Sequence, residues 1–280
     1  MDLNALCKTA IEAAIKAGEF IQSKRNEKLQ VLQKKGGSSY ASQVVTEVDR
    51  QAEAIIISHL EPSFKHDIAL LSEEREDDGG RFLKKCFWCI DPLDGTLSFI
   101  KGLVGYSVSI GLVAKDGSPL IGVVYDPNTK NLYHSIKDQG AFKNHRKWLP
   151  NQDGLYLSYI GDRPIKDSPK AAELEQQIQA YLNKLGLKEC KRFSSAGAVL
   201  NAISLVEKGP AIMIKPPKKN LGGGSIWDYA ATACLFQELG LQATNYYGKR
   251  LDLNKLENSF MNHEGVLYAN LPEGIRRTRN

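Results

Sequence analysis

Apolar residues recur at intervals of three and four from Leu3 to Ile21 (Leu3, Leu6, Cys7, Ala10, Ala14, Ala17), which predicts a first amphipathic helix in which Gly18 costs only some propensity. A polar lysine–glycine stretch, Lys34 to Ser39, interrupts. Thr46-Glu-Val-Asp-Arg then leads into Ala52, Ile55, Ile56 and Leu60, a second helix that Pro62 stops. Short apolar runs follow. Ile68–Ser72 reads as a strand ending in the acidic run that starts at Glu73, and Cys86–Ile90 as a strand ending at Asp91-Pro92, so both deliver carboxylates at their C-terminal ends. Runs at Tyr106–Ala114, Leu120–Tyr125 and Asn131–Ile136, joined by Gly, Asp, Asn and Pro turns, predict an antiparallel meander.

The second half alternates differently: a strand at Leu155–Tyr159, a helix over Lys170–Leu185, a strand near Glu189–Phe193, a helix that begins after Ser194-Ser-Ala-Gly and runs to Val206, a short strand Ala211–Ile214, and a helix from Ile226 that ends at Gly240. This is an α/β (α+β layered) pattern of alternating helix and sheet layers, with a boundary between 145 and 153 that separates halves 1–150 and 151–280.

Composition narrows the class. A chain of 280 residues, 42% apolar and 25% charged, is neither disordered nor a disulfide-stapled miniprotein. The excess of 37 basic over 32 acidic residues leaves +5 with no long basic tract, from which no nucleic-acid polymer is expected as a partner. No run approaches the roughly 18 apolar residues of a membrane span, and the amphipathic start lacks a secretion pattern; no membrane partner and a cytoplasmic location are expected. The five cysteines are scattered. Cys86 and Cys89 have no second pair to complete a zinc site, and in a strand positions i and i+3 face opposite ways, so buried thiols are expected rather than a disulfide.

The chemistry concentrates in Asp91-Pro-Leu-Asp-Gly-Thr96. Two carboxylates three residues apart repel each other unless a cation joins them, and hard divalent cations such as Mg²⁺ are held by a few carboxylates, waters and phosphate oxygens. Gly95 and Thr96 then open a short helix whose amides suit a phosphate. Taken alone, this stretch is equally a capped turn, Glu73 and Glu74 a solvated acidic loop, and Asp228 a helix N-cap.

Taken together, Thr46-Glu-Val-Asp49, Ser72-Glu-Glu74, Ile90-Asp-Pro-Leu-Asp-Gly-Thr96, Val108-Ser-Ile-Gly, Gly122-Val-Val-Tyr, Gly140-Ala-Phe and Ile226-Trp-Asp-Tyr-Ala-Ala231 resemble, in order, the inositol monophosphatase superfamily of Mg²⁺-dependent, lithium-sensitive phosphatases, which also contains the 3'(2'),5'-bisphosphate nucleotidases and fructose bisphosphatases. The resemblance implies that family's sugar-phosphatase fold and a single catalytic unit built from both halves. It implies two or three Mg²⁺ ions, with Mn²⁺ a possible substitute. Glu73, Asp91 and the Leu93 carbonyl would hold one ion, and Asp91, Asp94 and Asp228 a second. A third ion beside Glu73 would carry the attacking water, oriented by Thr96 and Asp49, with Glu74 in support and Gly95 and Thr96 on the phosphate. Catalysis would be a direct in-line displacement without a phosphoenzyme. A homodimer is also implied.

Substrate choice rests on finer features. Phe99-Ile-Lys-Gly102 resembles the bisphosphate nucleotidase branch. Where inositol enzymes place an acidic residue shortly before Trp-Asp, this chain has Lys215-Pro-Pro-Lys-Lys-Asn220, and Lys215 and Lys218 suit a second phosphate better than a neutral ring. Ser195 and Gly197 fall in the substrate-contacting segment, although Ala198 stands where many members carry a hydroxyl. The expected substrate is therefore 3'-phosphoadenosine 5'-phosphate or a small phosphorylated metabolite like it. Inositol monophosphate is the alternative, then a sugar bisphosphate, and a non-catalytic metal- or metabolite-binding role is the alternative outside enzymes.

Overall fold

The computed structural model describes residues 1–25, 31–33, 44–162, 164–193 and 196–274. The lysine–glycine stretch at 34–39, Ser195 and the basic tail at 276–279 lie outside the described residues. The chain runs α1 (Leu3–Ser23), β1 (Val31–Gln33), β2 (Val44–Thr46), α2 (Glu47–Leu60), β3 (Ile68–Ser72), β4 (Cys86–Asp94), α3 (Thr96–Ile100), β5 (Ser107–Ala114), β6 (Pro119–Asp126), β7 (Asn131–Ile136), β8 (Gly140–Lys143) and β9 (Arg146–Lys147). It continues through β10 (Leu157–Ile160), α4 (Ala171–Leu185), β11 (Cys190–Phe193), α5 (Ala198–Glu207), β12 (Ala211–Lys215), α6 (Ile226–Glu238), β13 (Gln242–Thr244) and β14 (Val266–Asn270).

Strands β3 to β9 form one seven-stranded sheet in chain order, with β3 and β4 parallel and the other neighbours antiparallel. The second sheet has five strands in the order β11-β10-β12-β14-β13, with β10 parallel to both β11 and β12. Three apolar clusters glue five layers together. The first joins α1 and α2 to one face of the large sheet through residues such as Ala14, Ile56, Trp88 and Ile90. The second joins the other face to α5, α6 and the small sheet through Phe87, Val199, Tyr229 and Tyr268. The third packs α4 on the outer face of the small sheet through Ile178, Ile212 and Leu267. Alternating helix and sheet layers are thus present, and β4 is buried along its whole length, which is why its first five residues, Cys86–Ile90, read as a continuous apolar run.

Several elements differ from the sequence-based expectation. The meander gains β8 and β9, joined by Asn144 and His145 at positive φ (49° and 63°), a turn that suits a tight hairpin. The strand expected at 155–159 begins at Leu157; Leu155 is 91% exposed. Beyond Gly240, where the pattern predicts no element, lie β13 and β14. The most consequential difference is at β4, which continues past Asp91 to Asp94.

A close approach fixes the last helix. A Cβ on Gly122 of β6 would stand 2.2 Å from the Ala231 carbonyl oxygen, so glycine in the strand and alanines in α6 let helix and sheet touch. The contact carries the N-terminus of α6, and with it Asp228, to the end of β4.

Candidate metal centre

The register of the parallel pair β3–β4 sets Ser72 beside Ile90, and the Glu73 amide donates to the Ile90 carbonyl at 3.1 Å, so the next step brings Glu73 beside Asp91. Their carboxyls share a hydrogen bond. Between Asp91 and Asp94 the β4–β5 ladder is irregular: Asp91 pairs with Ser109 and Asp94 with Ser107, so three steps on β4 match two on β5. This bulge has a clear effect, because residues three apart in a plain strand point to opposite faces, whereas here both carboxylates reach one site. Oxygens of Asp91, Asp94 and Asp228 lie within 4.8 Å of one another.

Each carboxylate is anchored by the chain around it. Asp91 accepts from the Leu93 amide (3.1 Å). Asp94 crosses to the second half and takes the amides of Ala198 and Val199 at the start of α5, both at 3.0 Å. Gly197 makes that crossing possible, since a Cβ there would stand 2.2 Å from Asp94 Oδ2. Asp228 occupies the third position of α6 and accepts from the Ser225 amide, which completes a capping box with the Ser225 side chain. The expected plain N-cap is therefore Ser225, and Asp228 caps while directing its carboxylate at the cluster.

Burial and mutual repulsion dominate the electrostatics. Burial, then the charge of Glu73, pushes the Asp91 carboxyl well above the usual range; burial, then Asp228, does the same to Asp94. Asp228 is pushed up to about 6 by burial and the Glu73 charge, with Lys215 opposing. Buried carboxylates gathered in this way hold protons unless a cation replaces them, and their all-oxygen donor set suits a hard divalent ion.

Around the cluster, the Thr96 hydroxyl stands 3.1 Å from both Asp49 Oδ1 and the Leu93 carbonyl oxygen. Asp49 is buried in the first turn of α2. Gly95 opens α3 at φ 83° and is packed on Gly105 and Gly197. Glu74, half-buried, follows Glu73 in the turn beyond β3. Thus Glu73, Asp91, Leu93, Asp94, Gly95, Thr96, Asp49, Gly197 and Asp228 all converge on the β4 end. Lys215 and Lys218 instead line a cavity of about 860 Å³ at the ends of β10 and β12. Lys215 is paired with Asp162 at 2.7 Å, a residue the sequence reading did not single out. The signal was present: Ile160-Gly-Asp162 is a strand ending in an acid, as at Glu73 and Asp91.

Residues 2–278 match the model of the inositol monophosphatase family. The chain is 30% identical to the Nus factor SuhB of Vibrio cholerae over 98% of this chain and 94% of that protein. It is 26% identical to the inositol-1-monophosphatase of Bacillus subtilis, over 91% and 88%. Among solved structures, SaIMPase-II with inositol monophosphate bound has a TM-score of 0.68 at 23% identity, covering 94% of this chain and 89% of that one. Fold and acidic site together define a metal-dependent phosphomonoesterase. The chain belongs to the inositol monophosphatase family.

One expectation is overturned. Several relatives carry the name Nus factor SuhB, which associates those proteins with transcription, so the exclusion of a nucleic-acid polymer as partner does not stand. Net charge is a sum over the whole chain and excludes no local surface. As for membranes, no described helix is long and apolar enough to cross one.

Proposed function

We propose that the protein hydrolyses a small polyol phosphate of the inositol monophosphate kind, with Mg²⁺ held by Asp91, Asp94 and Asp228 together with Glu73. The convergence of three carboxylates within 4.8 Å carries the reading. When bound, the cation supplies charge neutralisation for the phosphoryl oxygens and activation of water. The protein's own residues do the rest. Thr96 donates its hydroxyl hydrogen bond toward the Asp49 carboxylate, a charge-assisted bond preferred over the Leu93 carbonyl, which leaves the Thr96 oxygen to accept a hydrogen bond from the attacking water; as the water loses its proton to Thr96, the Thr96 proton passes to Asp49. The amides that hold both Asp94 oxygens keep that carboxylate from rotating away.

Two observations favour the polyol phosphate over 3'-phosphoadenosine 5'-phosphate. Relatives include proteins named inositol-1-monophosphatase, and Lys215, whose charge suited a second phosphate, already faces a carboxylate. The assay is phosphate release with Mg²⁺ near neutral pH. Inositol 1-phosphate is expected to be turned over and chelation to abolish it. A preference for the nucleotide bisphosphate of more than about tenfold in kcat/KM, roughly 1.4 kcal/mol, sinks the substrate assignment and leaves the phosphomonoesterase standing.

A further inference from the structure

Arg75 and Glu53 lie just outside the acidic centre, each close along the chain to a residue within it. Arg75 follows Glu73-Glu74, and its amide approaches the Ser72 carbonyl at 3.4 Å, closing the turn that carries both acids. Its side chain leaves the turn, and Nε donates to Glu53 Oε2 at 3.0 Å. Glu53 stands one turn after Asp49 on α2. Side chains on a helix lean toward its N-terminus, so that of Glu53 lies over the turn that holds Asp49. The ion pair therefore joins the turn after β3 to the helix whose Asp49 accepts from the Thr96 hydroxyl.

The two partners are unequally buried. The Arg75 side chain is half exposed, whereas that of Glu53 is 7% exposed. The second Glu53 oxygen, Oε1, is buried and has no hydrogen-bond partner among the described residues. The Ser72 hydroxyl, directly ahead of Glu73, is in the same condition. Alternation along β3 puts Ser72 on the face that Ile68 and Leu70 turn toward α1 and α2, the side on which Glu53 lies. A buried carboxylate oxygen and a buried hydroxyl that lack protein partners call for water or an ion beside them.

We propose that Glu53 and Arg75 are a positioning pair for the cation that Glu73 would help to hold. Arg75 fixes the Glu73-Glu74 turn against α2, and the free Glu53 oxygen, with the Ser72 hydroxyl, takes water from the cation's hydration shell. Mg²⁺ keeps several waters when a protein binds it, and groups one step outside the direct ligands orient those ligands and set affinity. Charge acting through space makes a different prediction. Glu53 is an anion and Arg75 a cation, so by charge alone Glu53 strengthens cation binding and Arg75 weakens it. As a positioning pair, both strengthen it.

This inference rests on the Mg²⁺-dependent phosphomonoesterase reading above, and Mg²⁺ titrations separate the two. Binding is followed by calorimetry and by the rise in melting temperature, beside phosphate release from inositol 1-phosphate, for the native protein, E53Q, R75Q and the double variant. E53Q and R75Q are each expected to raise the Mg²⁺ concentration at half-saturation by at least about threefold in all three measurements. KM for the ester at saturating Mg²⁺ is expected to stay within about twofold of the native value. The double variant is expected to match the weaker single variant within about twofold, because either change breaks the same unit. An R75Q protein whose half-saturation rises by less than about threefold, or falls as charge alone predicts, overturns the inference, as do single effects that multiply in the double variant. The Arg75 side chain is half exposed, so R75Q decides the question whether or not E53Q folds. If the native protein needs Mg²⁺ and R75Q binds it normally, only this inference falls. If the native protein neither binds Mg²⁺ nor releases phosphate, the underlying reading falls with it.

Discussion

The parallel pair β3–β4 and the parallel pair β10–β12 end alike and differ in charge. In each, the register continued beyond the hydrogen-bonded strands sets one ionisable side chain beside another at the carboxyl end, where ligands of α/β sheets bind. In the large sheet the neighbours are Glu73 and Asp91, of like charge; in the small sheet they are Asp162 and Lys215, of opposite charge. The first pair repels itself, gathers Asp94 and Asp228 into the same repulsion, and is complete only with an external cation. The second is complete already. One geometry thus yields a pair that calls for a cation or a pair that neutralises itself, according to a single choice of residue.

Converting one kind of end into the other is the direct test. Glu73→Lys gives β3–β4 the charge pattern of β10–β12. With its own cation in place the cluster no longer needs Mg²⁺, so kcat/KM is expected to fall by at least about 10³-fold, roughly 4 kcal/mol of transition-state stabilisation. Metal-free stability moves the other way. Relief of repulsion worth about 1 kcal/mol raises the metal-free melting temperature by about 2–4 °C, while the rise that Mg²⁺ produces in the native protein disappears. Melting curves with and without Mg²⁺ read both effects; a variant that still gains stability from Mg²⁺ would show that Glu73 is not part of the centre.

The pH dependence of stability is expected to be pronounced without metal and nearly absent with it. Without it, Asp91, Asp94 and Asp228 carry raised folded-state pKa values, so the folded state binds more protons than the unfolded chain. The stability this contributes is fully present below the ordinary carboxylate value of 3.8 and is lost as pH rises through about 6 for Asp228, and higher for the other two. Saturating Mg²⁺ replaces those protons, so above the ordinary carboxylate value the folded and unfolded chains bind equally few of them and this contribution stays nearly level over the same interval. Urea midpoints near pH 5 and near pH 7.5, in chelator and in Mg²⁺, decide the matter: an equal fall in both solutions contradicts a shared metal centre.

Much of this was legible in the sequence, for local reasons. Apolar runs that stop at Glu73 and Asp91 announce strand ends bearing carboxylates, and the small residues Gly122, Ala230 and Ala231 mark the place where α6 closes on the sheet. The bulge at Asp91–Asp94 was not legible. Proline beside a strand end reads as a stop, and only the partner strand, with Ser109 and Ser107 opposite, shows that the chain takes an extra residue and continues. Nor was the neutralisation of Lys215. It depends on a residue 53 positions away that register, and not sequence proximity, brings alongside.

The smallest expected effect comes from a site with the same spacing as Asp91 and Asp94 but no bulge. Cys86 and Cys89 are also three residues apart on β4, paired without irregularity to Ala114 and Gly111. They face opposite ways, Cys86 into the cluster under α1 and α2 and Cys89 into the cluster around α6. Burial pushes the Cys89 thiol well above its ordinary value, so it is an inert apolar group at neutral pH. Cys89→Ala is then expected to cost about 1–2 kcal/mol through the space it leaves, and to leave kcat/KM and the Mg²⁺ requirement within about twofold of the native protein. Mild oxidation is expected to leave both thiols free, as they are in the structure. A disulfide between them would mean that β4 bends at Cys86–Cys89 as it does at Asp91–Asp94. The same-face placement of the two aspartates would then no longer be the work of the bulge.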